Sequence, residues 1–551
     1  MKVFDRRATG RRRAMPAWLL GTLVALYMLV FLNHSLWHVL AQSFAASGGM
    51  LKQLPFALSV CLRVVCLEFV IIAVVLWPRV GKPLLALLIL VAAASAYYMD
   101  NFGAWLNREV VESIFETSRA EASGLLTPLA LAWFALAGLL PAAIVLCIPV
   151  RFAPWRRELA ARVVFVLALA GVMASIAHFG GRTYRYWYRN HRTVYDVYNP
   201  YAGLSGTFHY LRRDVFARKR PLVPVGTDAT LGPAATADGR KRLLVLVVGE
   251  TARAQDYSLG GYARDTNPEM ARRGVYYFRD TWSCGTATTV SVPCMFSGMT
   301  REHFKKAVAM SRWNLLDILQ HAGVDVSWRD NDEGCKGVCA RVPNEDLTHA
   351  SVAGLCDSQG CLDDVLLDDL PQQLAKLRPP ALLVLHIKGS HGPAYYKRYP
   401  PSWARFKPDC ETAEVQTCTY PQVVNSYDNT ILYTDHNLGR VVDALEALPA
   451  SYDTAMLYLS DHGESLGEGG IYLHGADWDT APPQQKHIPM LLWLSPGWKQ
   501  GSGVDLSCVA AQEGRNLSQD NLFDTVLGLF DVRTRVYRPQ LDIFAGCRKG
   551  A

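Results

Sequence analysis

Leu243-Leu-Val-Leu-Val-Val248, followed at once by Gly249-Glu250-Thr251, is the stretch that decides the fold of the second half of the chain. A short, unbroken run of β-branched and apolar residues is typical of a strand that is buried on both faces of a sheet. The carboxylate of Glu250 then lies at the carboxyl end of that strand. The stretch therefore predicts an α/β domain with a polar site at the strand ends.

Three further runs have the same composition: Ala381-Leu-Leu-Val-Leu-His386, Ala455-Met-Leu-Tyr-Leu-Ser460 and Met490-Leu-Leu-Trp-Leu494. Helix-like stretches alternate with them at residues 314–322, 364–377 and 424–448. Strands that alternate with helices indicate a mainly parallel sheet, in which ligands collect at the carboxyl ends of the strands. Because His391, Asp461 and His462 each follow such a run, we expect them to converge with Glu250 in one crevice.

The first third of the chain is apolar enough to enter a bilayer. Its apolar runs, near the length of about 20 residues that spans a membrane, are residues 16–36, 55–77, 84–99, 128–150 and 161–179. Arginine and lysine before the first run and in the second and fourth connections place the N-terminus in the cytoplasm. Five spans then carry everything after residue 179 across the inner membrane. A cleaved signal peptide is the alternative for the first run, but that run is too long.

These runs divide the chain into parts. Residues 1–180 are predicted to form a transmembrane domain with an outer loop at 100–125, residues 181–240 an interfacial segment and linker, and residues 241–551 a catalytic domain. Residues 182–220 are rich in Tyr, Trp and Arg, which belong at a membrane interface. That segment lies on the wrong side of the membrane for nucleic acid, so the net charge of +7 indicates contact with anionic bilayer lipids.

The positions of the cysteines agree with this topology. Ten of the 13 lie beyond residue 280, in the part predicted to be outside the inner membrane, and an even number can pair completely. Disulfides are expected in an oxidising compartment. Sequence order suggests the pairs Cys284/Cys294, Cys335/Cys339, Cys356/Cys361 and Cys410/Cys418, with Cys508/Cys547 left over. Zinc-binding cysteine clusters are the alternative, although no pair of C-x₂-C units is present.

The stretch from Ser283 to Ser297 gathers small hydroxyl residues between Cys284 and Cys294. A disulfide ring there would fix a hydroxyl at the start of a helix, where backbone N–H groups favour an anionic phosphate. A Thr/Ser-rich turn with a structural disulfide is the other interpretation. Glu250, Asp461 and His462 would supply three ligands to a catalytic zinc ion, and the hydroxyl of Thr288 would complete the set.

Eight segments together resemble the phosphoethanolamine transferases of Gram-negative inner membranes, which include the lipid A transferases associated with polymyxin resistance. These segments are Gly249-Glu-Thr-Ala-Arg253, Gly261-Tyr-Ala-Arg-Asp-Thr-Asn-Pro268, Ser283-Cys-Gly-Thr-Ala-Thr288, Pro293-Cys-Met-Phe-Ser297, Cys335-Lys-Gly-Val-Cys339, Gly389-Ser-His-Gly-Pro393, Tyr427-Asp-Asn-Thr430 and Ser460-Asp-His-Gly-Glu-Ser465. The resemblance covers nearly the whole chain. It implies an α-helical membrane domain of five transmembrane helices followed by a periplasmic α/β domain of the alkaline phosphatase and sulfatase superfamily.

The resemblance also assigns roles to residues. It implies that Thr288 is the nucleophile and that Glu250, Thr288, Asp461 and His462 bind one Zn²⁺, with a second Zn²⁺ left open. The other positions that match the substrate or second-metal site are Thr286, Lys336, His391, Glu464 and His474, and those that match headgroup contacts in the outer loop are Thr117 and Glu121. Ser113 stands where relatives often carry Asn. His391 and His474 are candidates for proton transfer to a leaving group.

The implied reaction moves phosphoethanolamine from phosphatidylethanolamine to Thr288 and then to a phosphate of lipid A. A monomer that binds bilayer lipids and no nucleic acid is expected. The other envelope acceptors left open are a core sugar, a glucan or a surface protein. A membrane-anchored phosphatase or sulfatase is the rival enzyme, but the sequence after Thr288 lacks the Cys/Ser-x-Pro-x-Arg context of a sulfatase nucleophile.

Overall fold

The computed structural model describes residues 14–46, 54–103, 105–106, 108–116, 125–190, 193–216, 220–233, 239–357, 360–501 and 504–548. Contacts divide the chain into two units, Met1–Arg108 with Thr127–His209, and Glu109–Leu126 with Tyr210–Ala551. The first unit is built of apolar helices and the second contains the large sheet. The domain limits expected at residues 180 and 240 stay a prediction.

The amino-terminal helices are α1 (Ala17–Phe31), α2 (His34–Ala46), α3 (Leu54–Val75), α4 (Gly81–Phe102), α5 (Arg108–Glu116), α6 (Pro128–Cys147), α7 (Trp155–Asn190), α8 (Thr193–Asp196) and α9 (Tyr201–Tyr210). Among the described residues, α3, α4, α6 and the part of α7 up to Phe179 are long and apolar enough to cross a membrane. Helices α1 and α2 form a bent pair, which is a fifth span if the pair is counted as one. The expected five spans correspond to these elements.

The first expected span, residues 16–36, is bent rather than straight. Helix α1 ends at Phe31, α2 begins at His34, and the axes differ by 60°. The buried Asn33 side chain donates hydrogen bonds to the carbonyls of Met28 at 3.0 Å and Asn199 at 2.9 Å. An amide inside an apolar helix pair needs such partners, because an unsatisfied polar group is costly there. These hydrogen bonds therefore stabilise the break.

Eight strands form the central sheet of the second unit: β1 (Lys241–Gly249), β2 (Tyr276–Trp282), β3 (Asp325–Asp330), β4 (Asn344–Asp346), β5 (Ala381–His386), β6 (Tyr452–Ser460), β7 (His487–Leu494) and β8 (Asn516–Ser518). Their order across the sheet is β8-β2-β7-β6-β1-β5-β3-β4. All neighbouring strands pair in parallel except β7, which is antiparallel to β6 and β2. The predicted mainly parallel sheet is confirmed, with one reversed strand.

The helices of the second unit that follow β1 are α10 (Pro268–Arg273), α11 (Thr288–Phe296), α12 (Lys306–Ala309), α13 (Leu315–His321), α14 (Leu370–Lys376), α15 (Tyr420–Glu446), α16 (Pro496–Gly501), α17 (Leu506–Ala511) and α18 (Leu522–Leu529). The α13 helix begins with a capping box, in which the Asn314 side chain accepts from the backbone of Asp317 and the Asp317 side chain accepts from the backbone of Asn314. The helices predicted at 314–322, 364–377 and 424–448 correspond to α13, α14 and α15.

Strand β1 lies at the centre of the sheet, between β6 and β5. Its residues from Leu243 to Val248 are at most 1% exposed, as expected for a strand covered on both faces. The register pairs Gly249 with Ser460 and Val248 with His386. Because these three parallel strands end at the same level, the residues that follow them lie side by side at one edge. This alignment positions the polar site.

Five disulfides are present among the described residues: Cys284–Cys294, Cys335–Cys339, Cys356–Cys361, Cys410–Cys418 and Cys508–Cys547. These are the pairs that sequence order suggested. Four of them join cysteines no more than 10 positions apart, whereas Cys508 and Cys547 are 39 positions apart. The first two disulfides flank Thr288 and Lys336, so they also shape the loops that carry candidate site residues.

Replacing both Cys508 and Cys547 by serine is expected to lower the free energy of unfolding by about 4 kcal/mol, because a long closed loop restricts the unfolded chain most. The matched control is the double serine variant of Cys335 and Cys339, four positions apart, for which the same relation gives about 2 kcal/mol. Urea titration of the full-length protein in detergent, followed by tryptophan fluorescence, measures both. Equal losses in the two variants would contradict the dependence on loop length.

Candidate active site

Thr288 is the first residue of helix α11, which begins after the loop that follows strand β2. The residue before it, Ala287, is extended, so the chain turns into the helix at the threonine itself. The Thr288 side chain is 9% exposed, and its Oγ1 lies 3.2 Å from Glu250 Oε2 and 3.4 Å from His462 Nε2. The structure therefore brings the predicted nucleophile together with two of its predicted partners at the positive end of a helix.

Glu250, Asp461 and His462 follow two adjacent parallel strands, β1 and β6, and all three are fully buried. One ligand atom from each lies within 4.8 Å of the others. His462 Nδ1 donates to the Gly463 carbonyl at 2.9 Å, which leaves Nε2 to face Glu250 Oε1 at 3.4 Å and Asp461 Oδ2 at 3.2 Å. Asp461 Oδ1 accepts the backbone N–H groups of Thr251 and His462. The expected convergence is present.

The electrostatics of this cluster favour a bound cation. Burial, followed by the neighbouring Asp461 and Asp332 carboxylates, raises the pKa of Glu250 well above its ordinary value. Burial also raises the pKa of Asp461. Like charges held together without water repel one another, and a cation between them would relieve both effects. Burial and then the nearby His474 lower the pKa of His462 to about 3, so its imidazole is neutral and suited to ligation.

A second observation also indicates that Glu250, Asp461, His462 and Thr288 suit a zinc ion. Asp461 Oδ2 is buried and accepts no hydrogen bond from the part of the chain that the structure describes. Two carboxylates, one neutral imidazole and a threonine hydroxyl form an oxygen and nitrogen donor set, which is characteristic of catalytic rather than structural zinc sites. Glu250, Asp461, His462 and Thr288 could therefore hold one zinc ion.

Two further histidines, His474 and His391, lie beside His462 of this cluster. The ring centroids of His462 and His474 are 4.4 Å apart, and those of His474 and His391 are 5.5 Å apart. His474 Nδ1 donates to Glu464 Oε2 at 2.8 Å, and Tyr395 donates to the other oxygen of that carboxylate at 2.7 Å. The structure thus places His391, His474 and Glu464 in the crevice, where the sequence predicted them.

The two outer histidines have pKa shifts of opposite sign. Burial, followed by the nearby His474, lowers the pKa of His391 well below its ordinary value. Burial also tends to lower the pKa of His474, but the Glu464 carboxylate outweighs this effect and raises it. His391 is thus neutral and His474 retains a proton to higher pH. A pair of titratable groups with separated pKa values is the arrangement that acid-base chemistry uses.

Lys336 and Thr286 approach the cluster from two loops. Lys336 has a left-handed backbone with a φ of 47°, inside the ring closed by Cys335 and Cys339, and its Nζ donates to the Glu333 carbonyl at 3.2 Å. Its positive charge opposes the rise in the pKa of Glu250 that burial and the neighbouring carboxylates cause, without reversing it. Thr286 is fully buried, and its hydroxyl donates to the Ala476 carbonyl at 2.6 Å. Thr286 therefore joins the loop that precedes Thr288 to the loop that carries His474.

Gly389 allows the loop after β5 to pass close to Glu250. Its φ is +50°, a left-handed conformation that side chains rarely adopt. A Cβ atom at this position would lie 2.8 Å from the Glu250 carbonyl oxygen. Ser390, the next residue, donates its backbone N–H to that same carbonyl at 3.1 Å. The glycine therefore permits the contact that brings His391 to the site.

The comparisons with known proteins agree with this geometry. Residues 64–215 match the family model described as phosphoethanolamine transferase EptA/EptB, and residues 242–532 match the sulfatase model. The phosphoethanolamine transferase EptA of Escherichia coli K12 is 40% identical over 97% of each chain. The chain belongs to the phosphoethanolamine transferase family.

Two further relatives place this transferase within the family. The phosphatidylethanolamine transferase Mcr-1 of Escherichia coli is 32% identical over 95% of this chain and 96% of its own. The solved integral membrane protein lipooligosaccharide phosphoethanolamine transferase A of Neisseria meningitidis has a TM-score of 0.90 at 35% identity, covering 97% of this chain and 99% of that one. The predicted family, fold class and location in the inner membrane with a periplasmic catalytic domain are thereby confirmed.

Of the three residues expected to contact the lipid headgroup, the structure describes only Ser113. Thr117 and Glu121 lie outside the described residues. Ser113 is half-buried in helix α5, whose Glu112 side chain forms an ion pair with Lys306 of helix α12 in the same unit. Their roles stay predictions for this transferase.

Two glutamines brace the site and were missed by reasoning from the sequence. Gln519 donates to the carbonyls of Ser460 at 2.9 Å and Asp461 at 2.6 Å, and its Oε1 accepts the backbone N–H of Cys284 at 2.7 Å. Gln485 donates to the Leu473 carbonyl at 3.0 Å and accepts the backbone N–H of Ala476 at 3.1 Å. Gln519 thereby connects the loop of Asp461 to the loop that precedes Thr288, and Gln485 supports the loop that carries His474. An isolated glutamine gives no signal in the sequence that would reveal this.

Proposed function

We propose that the protein transfers phosphoethanolamine from phosphatidylethanolamine to a phosphate of lipid A, through a covalent phosphoethanolamine-threonine intermediate on Thr288. The observation that carries the proposal is the Thr288 hydroxyl, 3.2 Å from Glu250 and 3.4 Å from His462 at the start of a helix. The donor and acceptor classes are taken from two relatives, the phosphatidylethanolamine transferase Mcr-1 and the lipooligosaccharide phosphoethanolamine transferase of Neisseria meningitidis. Both substrates are lipids, which suits a catalytic domain joined to membrane helices.

The reaction consists of two displacements at phosphorus. In the first, Thr288 Oγ1 releases its proton to solvent and attacks the phosphodiester, and the bond from phosphorus to the diacylglycerol oxygen breaks. In the second, an oxygen of the acceptor phosphate attacks the same phosphorus, the bond to Thr288 breaks, and Thr288 Oγ1 takes up a proton from solvent. The threonine hydroxyl is regenerated, so each cycle moves one phosphoethanolamine group and consumes no water.

Glu250, Asp461, His462 and Thr288 would hold the zinc ion in this proposal. When bound, zinc supplies Lewis acidity, which lowers the pKa of the threonine hydroxyl and offsets negative charge on the phosphoryl oxygens. The polypeptide itself contributes the orientation of these groups. Gln519 fixes the backbone of Ser460 and Asp461 against the nucleophile loop, so the hydroxyl and the ligands keep their mutual distances.

Lys336 and the start of helix α11 are proposed to bind the phosphoryl group. The N-terminus of helix α11 and the ammonium of Lys336 both favour a negative ligand. Cys284–Cys294 and Cys335–Cys339 hold these two elements. Thr286 is proposed to position the loop, since its hydroxyl donates to the Ala476 carbonyl.

His474 is proposed to donate a proton to the diacylglycerol oxygen as it leaves. The ring is placed for this role by Glu464 at 2.8 Å, and the raised pKa keeps it protonated above its ordinary range. His391 is proposed to act as a neutral hydrogen-bond partner beside it. A general acid is most effective when its pKa lies near the pH at which the enzyme works.

Glu464→Gln is expected to move the alkaline limb of the pH profile of kcat/KM to lower pH. The folded pKa of His474 is raised, so the protonated ring is present at low pH and is lost as the pH rises through that value. Removing the Glu464 charge lowers the pKa and brings this loss to lower pH. The alkaline limb is measured as the rate of transfer from a fluorescent phosphatidylethanolamine between pH 6 and pH 10. This pH range brackets the ordinary histidine pKa of about 6.5.

Tyr395→Phe is the matched control for that profile, because it removes the other hydrogen bond to Glu464 and leaves its charge in place. We expect a much smaller shift of the alkaline limb in this variant. An alkaline limb in Glu464→Gln that coincides with that of the wild type would contradict the role of the Glu464–His474 pair.

The function is tested by mass spectrometry of lipid A from cells that lack phosphoethanolamine transferases of their own. Expression of the wild-type protein is expected to add phosphoethanolamine to lipid A. An adduct on core sugars, glucans or surface proteins instead would assign another acceptor. Unmodified lipid A in cells with correctly inserted protein would contradict the proposed acceptor.

A further inference from the structure

A second group of metal-type ligands lies against Glu250, outside the set proposed to bind the catalytic zinc ion. Ligand atoms of Glu250, Asp332 and His386 all lie within 4.8 Å of one another. Their side chains are at most 2% exposed. His386 is the last residue of β5, and Asp332 follows the end of β3, the strand next to it. The group therefore occupies the same edge of the sheet as the catalytic cluster, one strand further along.

The orientation of the His386 ring is fixed by Asp330. The ring donates from Nδ1 to Asp330 Oδ2 at 3.0 Å. Asp330 also accepts from Trp328 Nε1 and from the backbone N–H groups of Asp332 and Gly334. A carboxylate that accepts so many hydrogen bonds stays charged, so it holds the proton of the imidazole on Nδ1. A histidine that binds a metal commonly donates its other ring N–H to a carboxylate in this way.

His386 and Asp332 each carry a buried ligand atom without a hydrogen-bond partner among the described residues. His386 Nε2 and Asp332 Oδ1 are buried and form no hydrogen bond within the part of the chain that the structure describes. The distance from His386 Nε2 to Asp332 Oδ2 is 3.8 Å, too long for a hydrogen bond between them. Buried polar atoms without partners are rare, and a bound ion is one established reason for them.

The charge of the region points the same way. Glu250, Asp332 and Asp461 place three buried carboxylates at one edge of the sheet, after strands β1, β3 and β6. One divalent ion between Glu250 and Asp461 would offset two negative charges, whereas Asp332 is acted on by the positive charges of Lys388 and Lys336. A buried carboxylate is costly unless it is paired or binds a metal ion. A second cation between Asp332 and Glu250 would offset it.

We infer that Glu250, Asp332 and His386 form a second divalent-cation site, which shares the Glu250 carboxylate with the first. Two carboxylates and one imidazole suit zinc or manganese. A cation there would hold Glu250 between two positive charges and so fix its orientation toward Thr288. The inference rests on the proposed function only through Glu250, and it differs from a second metal ion at His391 and His474, which lie beside His462.

The test counts metal ions in the full-length protein, purified in detergent, stripped with a chelator and reloaded with zinc chloride or manganese chloride alone. The variants His386→Asn and Asp332→Asn are each expected to bind one ion fewer per chain than the wild type, measured by plasma mass spectrometry. His462→Asn is also expected to bind one ion fewer, and His386→Asn with His462→Asn two fewer. His436→Asn, a half-buried histidine on α15, is the control and is expected to keep the wild-type count.

The variants separate the two sites. If both His386→Asn and Asp332→Asn keep the wild-type count with zinc and with manganese, the second site is overturned, while a loss in His462→Asn would still support the first. If the wild type binds neither metal, the second site and the metal of the proposed function both fail. Asp332→Asn preserves the size of the side chain, so it decides the question if His386→Asn melts early by circular dichroism. A zinc-edge anomalous peak between the three residues would confirm the position.

Discussion

Replacing Thr288 by alanine is expected to lower kcat/KM for phosphoethanolamine transfer by at least about three orders of magnitude, as is usual when a covalent nucleophile is removed. The hydroxyl is the atom that would carry phosphoethanolamine, and it lies within 3.2 Å of Glu250 and 3.4 Å of His462. Thr288→Ser is expected to retain part of the activity, because it keeps the hydroxyl and loses only a methyl group. Mass spectrometry of lipid A and transfer from labelled phosphatidylethanolamine measure both variants.

Thr289→Ala is the matched control for the nucleophile. Thr289 is the next residue of the same helix, it is buried, and its hydroxyl forms no hydrogen bond among the described residues. We expect its kcat/KM to fall by less than about tenfold, since single side-chain truncations away from the chemistry act mainly on stability. An active Thr288→Ala variant, or equal losses in the two alanine variants, would contradict the assignment of Thr288.

Asp461→Asn is the second change for which we expect a large effect. The asparagine can still accept the backbone N–H groups of Thr251 and His462 through Oδ1, so the substitution removes the charge and keeps the loop. Zinc binding is expected to weaken by about 100-fold or more, beyond the range seen when only supporting residues of a metal site change. Transfer activity should fall in parallel. Titration with zinc and a competing chelator gives the affinity.

Chelation of the wild-type protein is the complementary experiment. Activity is expected to disappear when zinc is removed and to return when zinc chloride is added back, because the binding groups remain in place. Asp443→Asn, an exposed carboxylate on α15, serves as the control and should behave like the wild type. Full transfer by Asp461→Asn, or by the chelated wild type, would exclude the proposed role of the metal.

The strand ends could be predicted from the sequence because their signal is local. Runs such as residues 243–248 are apolar throughout, and parallel strands must end at a common edge. Glu250, Asp461 and His462 therefore converge as expected. The reversal of β7 could not be predicted, since an apolar run has the same composition in either direction. Its direction depends on its pairing with β6 and β2.

The supporting contacts could not be predicted because they join distant parts of the chain through single side chains. Gln519 meets Cys284 across 235 positions, and Asn33 meets Asn199 across 166. Neither contact has a repeat or a spacing that marks it. His386 was included in an apolar run and counted only as part of a strand, although its ring faces the carboxylates at the strand end. A residue of this kind can be recognised as a possible ligand only when the register of the neighbouring strands is known.

The most direct test of the central proposal is to search for the covalent intermediate itself. Purified wild-type protein is incubated with phosphatidylethanolamine in the absence of acceptor, quenched in acid, digested and analysed by peptide mass spectrometry. We predict one phosphoethanolamine group on Thr288 and none in the Thr288→Ala variant. A phosphoethanolamine group on Thr286 or Thr289, or efficient transfer to lipid A with no modified peptide at any time, would contradict the proposal.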